Sequence, residues 1–275
     1  IGLGIPAEPL FRSRDISLAY LSSYWKITDM DAIAFSLRYF HLGTIDFTDE
    51  YGQVYASPSP NEFAIDFTYA RKLTDVFSMA LTPRFIYSNI TASYDMYSSS
   101  GKAGLAGAAD LSLCYEQDFR TKGMENSTVR LGVNISNMGN KMTYSSNASP
   151  DARDFLPANL KIGLSYTMDF DGYNSLSILG EMNKLLVPTP PRWAIDSVSH
   201  EKVIVAGKDN RVSSAQGIFQ SFYDAPNGFK EELYEIAWSF GLEYAYNDLL
   251  FVRTGGFFES ISRSEERRVG KECRS

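Results

Sequence analysis

Four stretches of the chain alternate apolar and non-apolar side chains strictly, the period-two signature of a β-strand. In 63–70, Phe63, Ile65, Phe67 and Tyr69 share one face, and Ala64, Asp66, Thr68 and Ala70 the other. In 129–136, Val129, Leu131, Val133 and Ile135 oppose Arg130, Gly132, Asn134 and Ser136. In 160–168, Leu160, Ile162, Leu164, Tyr166 and Met168 oppose Lys161, Gly163, Ser165 and Thr167. In 234–245, Tyr234, Ile236, Trp238, Phe240, Leu242 and Tyr244 oppose Glu235, Ala237, Ser239, Gly241, Glu243 and Ala245. No charge falls on the apolar face of any of them. The last is long enough to cross a bilayer, since a tilted strand needs about 9–11 residues. Weaker alternation marks 15–27, 31–42, 76–88, 103–116, 173–184 and 249–259. That makes about ten strands, with helical spacing only near 213–224, and so an all-β fold.

The connections sharpen this. Those at 27–31, 71–75, 117–127, 169–175 and 246–249 are short; those at 43–61, 89–102, 137–157 and 185–231 are longer. Alternating short and long connections are the pattern of an antiparallel up-and-down transmembrane β-barrel, with short turns on one side and long loops outside. "WKITD" (25–29) and "RKLTD" (71–75) are near-repeats at equivalent turns. Asp29 and Asp75 suit a turn because an Asp side chain can accept from the backbone two residues on.

The competing reading is a soluble β-sandwich, whose second face meets water and should be rich in Lys, Glu and Thr. Here the second face is mostly Gly, Ala, Ser and Asn, which suits a crowded barrel interior. Tyr and Trp cluster near expected strand ends (Tyr20, Tyr24, Trp25, Tyr39, Tyr69, Tyr87, Tyr115, Tyr166, Tyr234, Tyr244), as interfacial aromatic girdles do. The barrel reading is therefore preferred. Charges recur on the small-residue face at Asp66, Arg84, Asp110, Glu116, Arg130, Lys161, Glu181, Glu235, Glu243 and Arg253. Both signs are present, which points to an interior network linking opposite strands rather than to catalysis.

Composition excludes several classes. A net charge of −7 and a pI near 5.0 argue against a nucleic-acid surface. No run of apolar residues is long enough for a transmembrane helix, and a mean hydropathy of −0.21 does not count against a barrel, whose alternating strands hide their hydrophobicity. His41 and His200 have no second ligand at metal spacing, so no metal site is expected. "SGKAG" (100–104) lacks the rest of a P-loop, "DFDGYNS" (169–175) reads as a tight turn rather than a calcium loop, and no nucleophile elbow is present. No catalytic, cofactor-binding or metal-binding residue is assigned, and no enzyme activity is expected.

The unusual segment is 185–231, since a long loop is usually functional. Ser213 or Ser214 can cap a short helix carrying Ile218, Phe219 and Phe222, with Pro226, Asn227 and Gly228 stopping it. Ile218, Phe219, Phe222 and Phe229 are the candidate partner-binding residues, because exposed aromatic groups on a loop need a cover. The same apolar residues are equally suited to plugging the barrel mouth. The 137–157 loop is a second candidate for partner contacts.

Long strings then carry a resemblance: "DISLAYLSSYWKITDMDAIAFSLRYFHLGTIDFTD", "NEFAIDFTYARKLTDVFSMALTPRFIYSN", "LGVNISNMGNKMTYS", "FLPANLKIGLSYTMDFDGYNSLSILGEMNKLLVPTPP" and "GIFQSFYDAPNGFKEELYEIAWSFGLEYAYNDLLFVRTGGFFE". Over about 14–260 the chain resembles the PorV/PorQ family, FadL-like outer-membrane barrels of the Bacteroidetes type IX secretion system. The resemblance implies a non-enzymatic shuttle in the bacterial outer membrane, among lipid and lipopolysaccharide. The shuttle binds secreted cargo by its C-terminal signal domain and passes it from a SprA-like translocon to a PorU-like attachment complex. A FadL-like transporter of hydrophobic small molecules is the alternative; a lipopolysaccharide-modifying enzyme finds no nucleophile–base pair. The family barrel has more strands than the ten read here, so 1–263 is expected to be a partial barrel with an open edge strand at each end, unable to insert alone. The charged stretch 264–275, which contains Cys273, reads as a non-native tail.

Overall fold

The computed structural model describes residues 16–44, 46–49, 51–90, 102–120, 126–145, 153–196 and 202–259. Its principal strands are β1 (Ser17–Lys26), β2 (Asp31–His41), β5 (Asn61–Lys72), β6 (Phe77–Asn89), β7 (Gly104–Phe119), β8 (Asn126–Gly139), β9 (Asn159–Asp169), β10 (Asn174–Leu185), β13 (Ile236–Tyr246) and β14 (Leu250–Phe258). They form one ten-stranded sheet in chain order. The small hairpins β3 (Phe47–Thr48) with β4 (Val54–Ala56), and β11 (Arg192–Ile195) with β12 (Lys202–Ala206), stand outside it. In the large sheet β1–β2, β2–β5, β8–β9, β9–β10, β10–β13 and β13–β14 pair antiparallel without a register shift, as in Ser17↔His41 to Lys26↔Ala32 and Ser175↔Asp169 to Leu185↔Asn159, whereas both small hairpins carry one. The fold is thus the all-β, up-and-down class expected. Among the described residues β1 and β14 end the strand order, each with one neighbour. The proposed tail 264–275, Cys273 and His200 lie outside the described residues.

Three of the short turns are built alike. Ile27 N–H donates to the Asp31 carbonyl at 2.9 Å, Leu73 N–H to Phe77 at 2.8 Å and Phe170 N–H to Asn174 at 2.9 Å. In each, the next side chain accepts from two amides ahead: Thr28 from Met30 and Asp31, Thr74 from Val76 and Phe77, Asp171 from Tyr173 and Asn174. The expectation for Asp29 and Asp75 is therefore corrected. The acceptor is the threonine one residue earlier, because only that position puts an oxygen beside the two free amides; Asp29 instead pairs with Lys26 at 2.6 Å. At Asp171, the Asn174 side chain and then the Asn174 and Tyr173 amides hold the carboxyl below its usual pKa. The β13–β14 turn uses positive φ at Asn247 (53°) and Asp248 (51°), the twist-matched type I′ geometry.

The chain divides into two compact units, Ile1–Arg71 with Ala80–Asp110 and Gly139–Leu156, and Lys72–Met79 with Leu111–Met138 and Pro157–Ser275. In both, burial is inverted relative to a water-soluble domain. In the first, Phe67 is 49% exposed and Leu81 48%, whereas the small-residue face includes Asp66 at 7% and Asp110 at 9%. In the second, Leu164, Ile178, Phe240 and Leu242 are exposed while Ala245, on the small-residue face, is buried. The buried apolar residues among those described are mostly alanines.

The charges of the small-residue face do pair, but between sheet neighbours rather than opposite strands. In the first unit Arg38 (β2) meets Asp66 (β5) at 3.0 Å, Asp66 meets Arg84 (β6) at 2.6 Å, and Arg84 meets Asp110 (β7) at 2.8 Å. In the second, Glu116 pairs with Arg130, Lys161 with Glu181 and Glu243 with Arg253. Side chains about 5 Å apart on adjacent strands satisfy one another at a distance that strands across an interior do not offer. His41 ends β2 half-buried, with its Nδ1 buried and without a hydrogen-bond partner among the described residues.

Candidate functional site

The connection between β10 and β13 is a folded structure. Ser213 caps α1 (Ser214–Gln220), its side chain accepting from the Gln216 amide, as the Ser/Thr cap pattern predicts. Ile218 and Phe219 lie on this helix. Phe222 lies just past its C-cap, Ser221, so it is not carried by the helix as expected. A second helix, α2 (Phe229–Tyr234), starts at Gly228, where the sequence suggested only a helix stop and then a strand. Tyr234 and Glu235 consequently belong to the end of α2, and β13 begins at Ile236.

A buried polar cluster fastens this loop. By alternation Lys184 falls in line with Ile178 and Met182 on the apolar face of β10, yet it is 3% exposed because the loop covers it. Its Nζ donates to Glu232 at 2.9 Å and to Glu235 at 2.8 Å. The other oxygen of Glu232 accepts from the Asp224 and Ala225 amides at 2.8 and 2.9 Å. Thr189 donates its hydroxyl to Glu235 at 2.8 Å and its amide to Asp224 Oδ2 at 3.1 Å. Asp224 is 1% exposed, and its Oδ1 has no hydrogen-bond partner among the described residues. Burial pushes the Asp224 carboxyl above its usual pKa, the Thr189 amide pulls it back, and Glu232 and Glu235 push it further up.

Packing closes the rest. Leu186, 2% exposed, donates its amide to the Ala158 carbonyl at 2.7 Å. Gly207 has φ +86°, and a Cβ there would stand 3.2 Å from the Asp224 carbonyl, Pro191 and Pro226, so the end of β12 sits directly against the 224–226 segment. Gln220 donates to the Asp209 carbonyl at 2.8 Å, joining α1 to the hairpin's exit.

On this clamped base the candidate residues face outward. Phe229 is 75% exposed, Phe219 70% and Phe222 46%, while Ile218 is half-buried. Phe229 and Leu233, four residues apart on α2, share a side; Leu233, Tyr234 and Tyr223 are exposed too. The sequence located the exposed aromatics and missed what holds them. The available signal was Lys184, a cation breaking an apolar alternation, with two glutamates ahead of the next strand.

The second candidate, 137–157, behaves differently. Met142 and Asp154 exchange two backbone bonds of 2.8 Å, and Lys141 stands 3.9 Å from the Phe155 ring centre. Tyr144 reaches the buried Ser88 hydroxyl at 3.0 Å, which in turn donates to Glu62 at 2.5 Å. Within its described residues it turns inward and presents no exposed large apolar side chain.

Among the described residues no group of His, Cys, Asp or Glu could hold a metal ion, and no helix is long and apolar enough to cross a membrane. A family model described as type IX secretion system protein PorV matches residues 2–192. The match thus spans β1 to β10 and stops before the two helices. No curated protein matches the chain.

Proposed function

The chain belongs to the PorV family of type IX secretion system proteins, and on that premise we propose that it is an outer-membrane, non-enzymatic shuttle. It takes secreted cargo by a C-terminal signal domain from a SprA-like translocon and hands it to a PorU-like attachment complex. The β10–β13 loop is its docking surface. The observation that carries this reading is a loop fastened at its base with aromatic side chains left outside: Phe219 and Phe229 are exposed although the same loop buries Leu186 and Lys184. Aromatic side chains, Phe among them, are enriched at protein interfaces relative to the rest of the surface. The exposed apolar strand faces support a wall facing lipid and lipopolysaccharide, with the paired charges on the lumen side.

The test replaces Phe219 and Phe229 with Ser in the full chain. The variant should fractionate with outer membranes like the parent and lose co-purification with cargo and translocon. Undiminished co-purification refutes the docking surface; recovery of the parent as a folded, detergent-free soluble protein refutes the membrane wall.

A second reading, a FadL-like conduit for hydrophobic small molecules, is supported by one feature. A concavity of about 450 Å³ opens beside Gly132, Gly163, Leu179 and Gly241, with Cys114, Arg130 and Glu181 also lining it. Lipid released from the purified protein and identified by mass spectrometry would favour it.

A further inference from the structure

The cluster that fastens the β10–β13 loop contains a carboxyl that nothing above uses. Asp224 is enclosed, with one oxygen satisfied by the Thr189 amide and the other left without a hydrogen bond among the described residues. The charged groups around it come from α2, from β10 and from the end of β12, where Lys208, next to the Gly207 that packs on the Asp224 carbonyl, stands 3.8 Å from the ring centre of the neighbouring Tyr223. Glu232 of α2 accepts the Asp224 amide itself, Glu235 at the end of α2 accepts from Thr189, and Lys184 of β10 pairs with both glutamates. Two carboxylates therefore face Asp224 across the cluster, and its own backbone is pinned by one of them. A buried anion with an unfilled oxygen is costly; the neutral acid is much less so.

We infer that Asp224 is a proton-operated latch: the loop lies docked on Lys184 while Asp224 is protonated and loosens as that proton leaves. The inference concerns the regulation of the docking surface proposed above, but it rests on the loop's own geometry and is read without any partner. The sign follows from linkage. Burial and the facing glutamates hold the docked carboxyl above its ordinary range, so the docked loop binds the proton more tightly than the released one. The stabilisation is complete below the ordinary carboxylate range and is lost as pH rises through the raised value. Release exposes the Asp224 carboxylate to water together with Glu232 and Glu235, and with them the underside of α2. Acid would then shut the loop, and rising pH would free the Phe219 and Phe229 segment to rearrange.

The experiment is native-state hydrogen exchange on the full chain in detergent, from about pH 4, near the ordinary carboxylate value, up to about 8, with rates divided by intrinsic rates so that only protection is compared. Three amides report directly: Asp224 and Ala225, which donate to Glu232, and Thr189, which donates to Asp224. Their protection should fall as pH rises, by on the order of tenfold for each unit separating the docked and released pKa. Asp224→Asn keeps an oxygen for Thr189 and removes the titrating proton, so its protection should be flat at the acid-side value. Flat protection in the parent overturns the inference, whatever the variant does. A fall in Asp224→Asn as steep as the parent's overturns it equally. Loss of cargo binding by the aromatic variant bears on the docking surface alone, so the two readings fail separately.

Discussion

Removing the ammonium from the loop's base should release the loop without unfolding the sheet. In Lys184→Met the Lys184 side chain, 4% exposed, is replaced by an apolar group of similar length, and Glu232, whose side chain is 7% exposed, loses its counter-charge 2.9 Å away. Breaking a buried ion pair from one side costs about 3–5 kcal/mol, because an uncompensated charge stays behind. The sheet hydrogen bonds do not depend on that charge, whereas the docked loop does. The least costly response is for 186–235 to lift and let Glu232 and Glu235 hydrate. At roughly 1.4 kcal/mol per decade, the docked-to-released ratio should fall by about two to three and a half decades. Protection of the Asp224 and Ala225 amides reads that ratio directly, while amides of β9 serve as the internal control. A triple variant, Lys184→Met with Glu232→Gln and Glu235→Gln, removes all three charges and leaves an amide oxygen at position 232 able to accept from the same two backbone amides. It should regain most of the lost protection, since an uncharged cluster of the same shape is nearly neutral in energy. Unchanged protection in the single variant, or equal losses in the single and triple variants, would refute the view that Lys184 fastens the loop electrostatically.

Arg84 sits between Asp66 and Asp110 with its side chain 11% exposed; Arg84→Met should lower the unfolding free energy in detergent by about 3–5 kcal/mol, measured by denaturant titration, and a loss near zero would show that water already satisfies both aspartates. Thr28→Ala and Thr74→Ala should each cost about 0.5–1.5 kcal/mol in the same titration, by removing an acceptor of two turn amides. Asp29→Ala should cost less, since its ion pair with Lys26 is exposed; the reverse order would restore the aspartate as the turn-former.

Strands were legible because their signal is local. Alternation at 160–168 and 173–184 anticipates β9 and β10 to within a residue or two, and a period-two pattern needs no knowledge of distant chain. The N-cap was legible for the same reason, as one of Ser213 and Ser214, and the structure selects Ser213. The helix α2 was not: at six residues it is too short to show a 3.6-residue period, and its alternating tail Tyr234–Ile236 reads as strand. Nor was the β11–β12 hairpin, whose strands of four and five residues carry no turn signal strong enough to pair them. The site was half legible. Phe219, Phe222 and Phe229 stand out by residue type alone, but Lys184, Asp224, Glu232 and Glu235 meet only after the chain has travelled from 184 to 235, and spacing does not encode such a meeting. The turn threonines were overlooked because Asp is the commoner turn residue, although "ITD" and "LTD" held both options in the same repeat.

The loop's point of attachment has a consequence for how such a protein can change over time. Lys184 is the register partner of Ile236, and its ammonium bonds to the residue just before, Glu235. The 186–235 excursion therefore leaves and rejoins the sheet at one rung, sealed by one ion pair. Closing a longer or shorter segment across that rung changes the closure entropy only logarithmically with its length. Provided Glu232 and Glu235 stay on Lys184, the rest of the segment can be lengthened, trimmed or exchanged as a cassette while the strands on either side keep their pairing. A change in what the loop presents would then require new sequence in one graftable insert and none in the strands on either side.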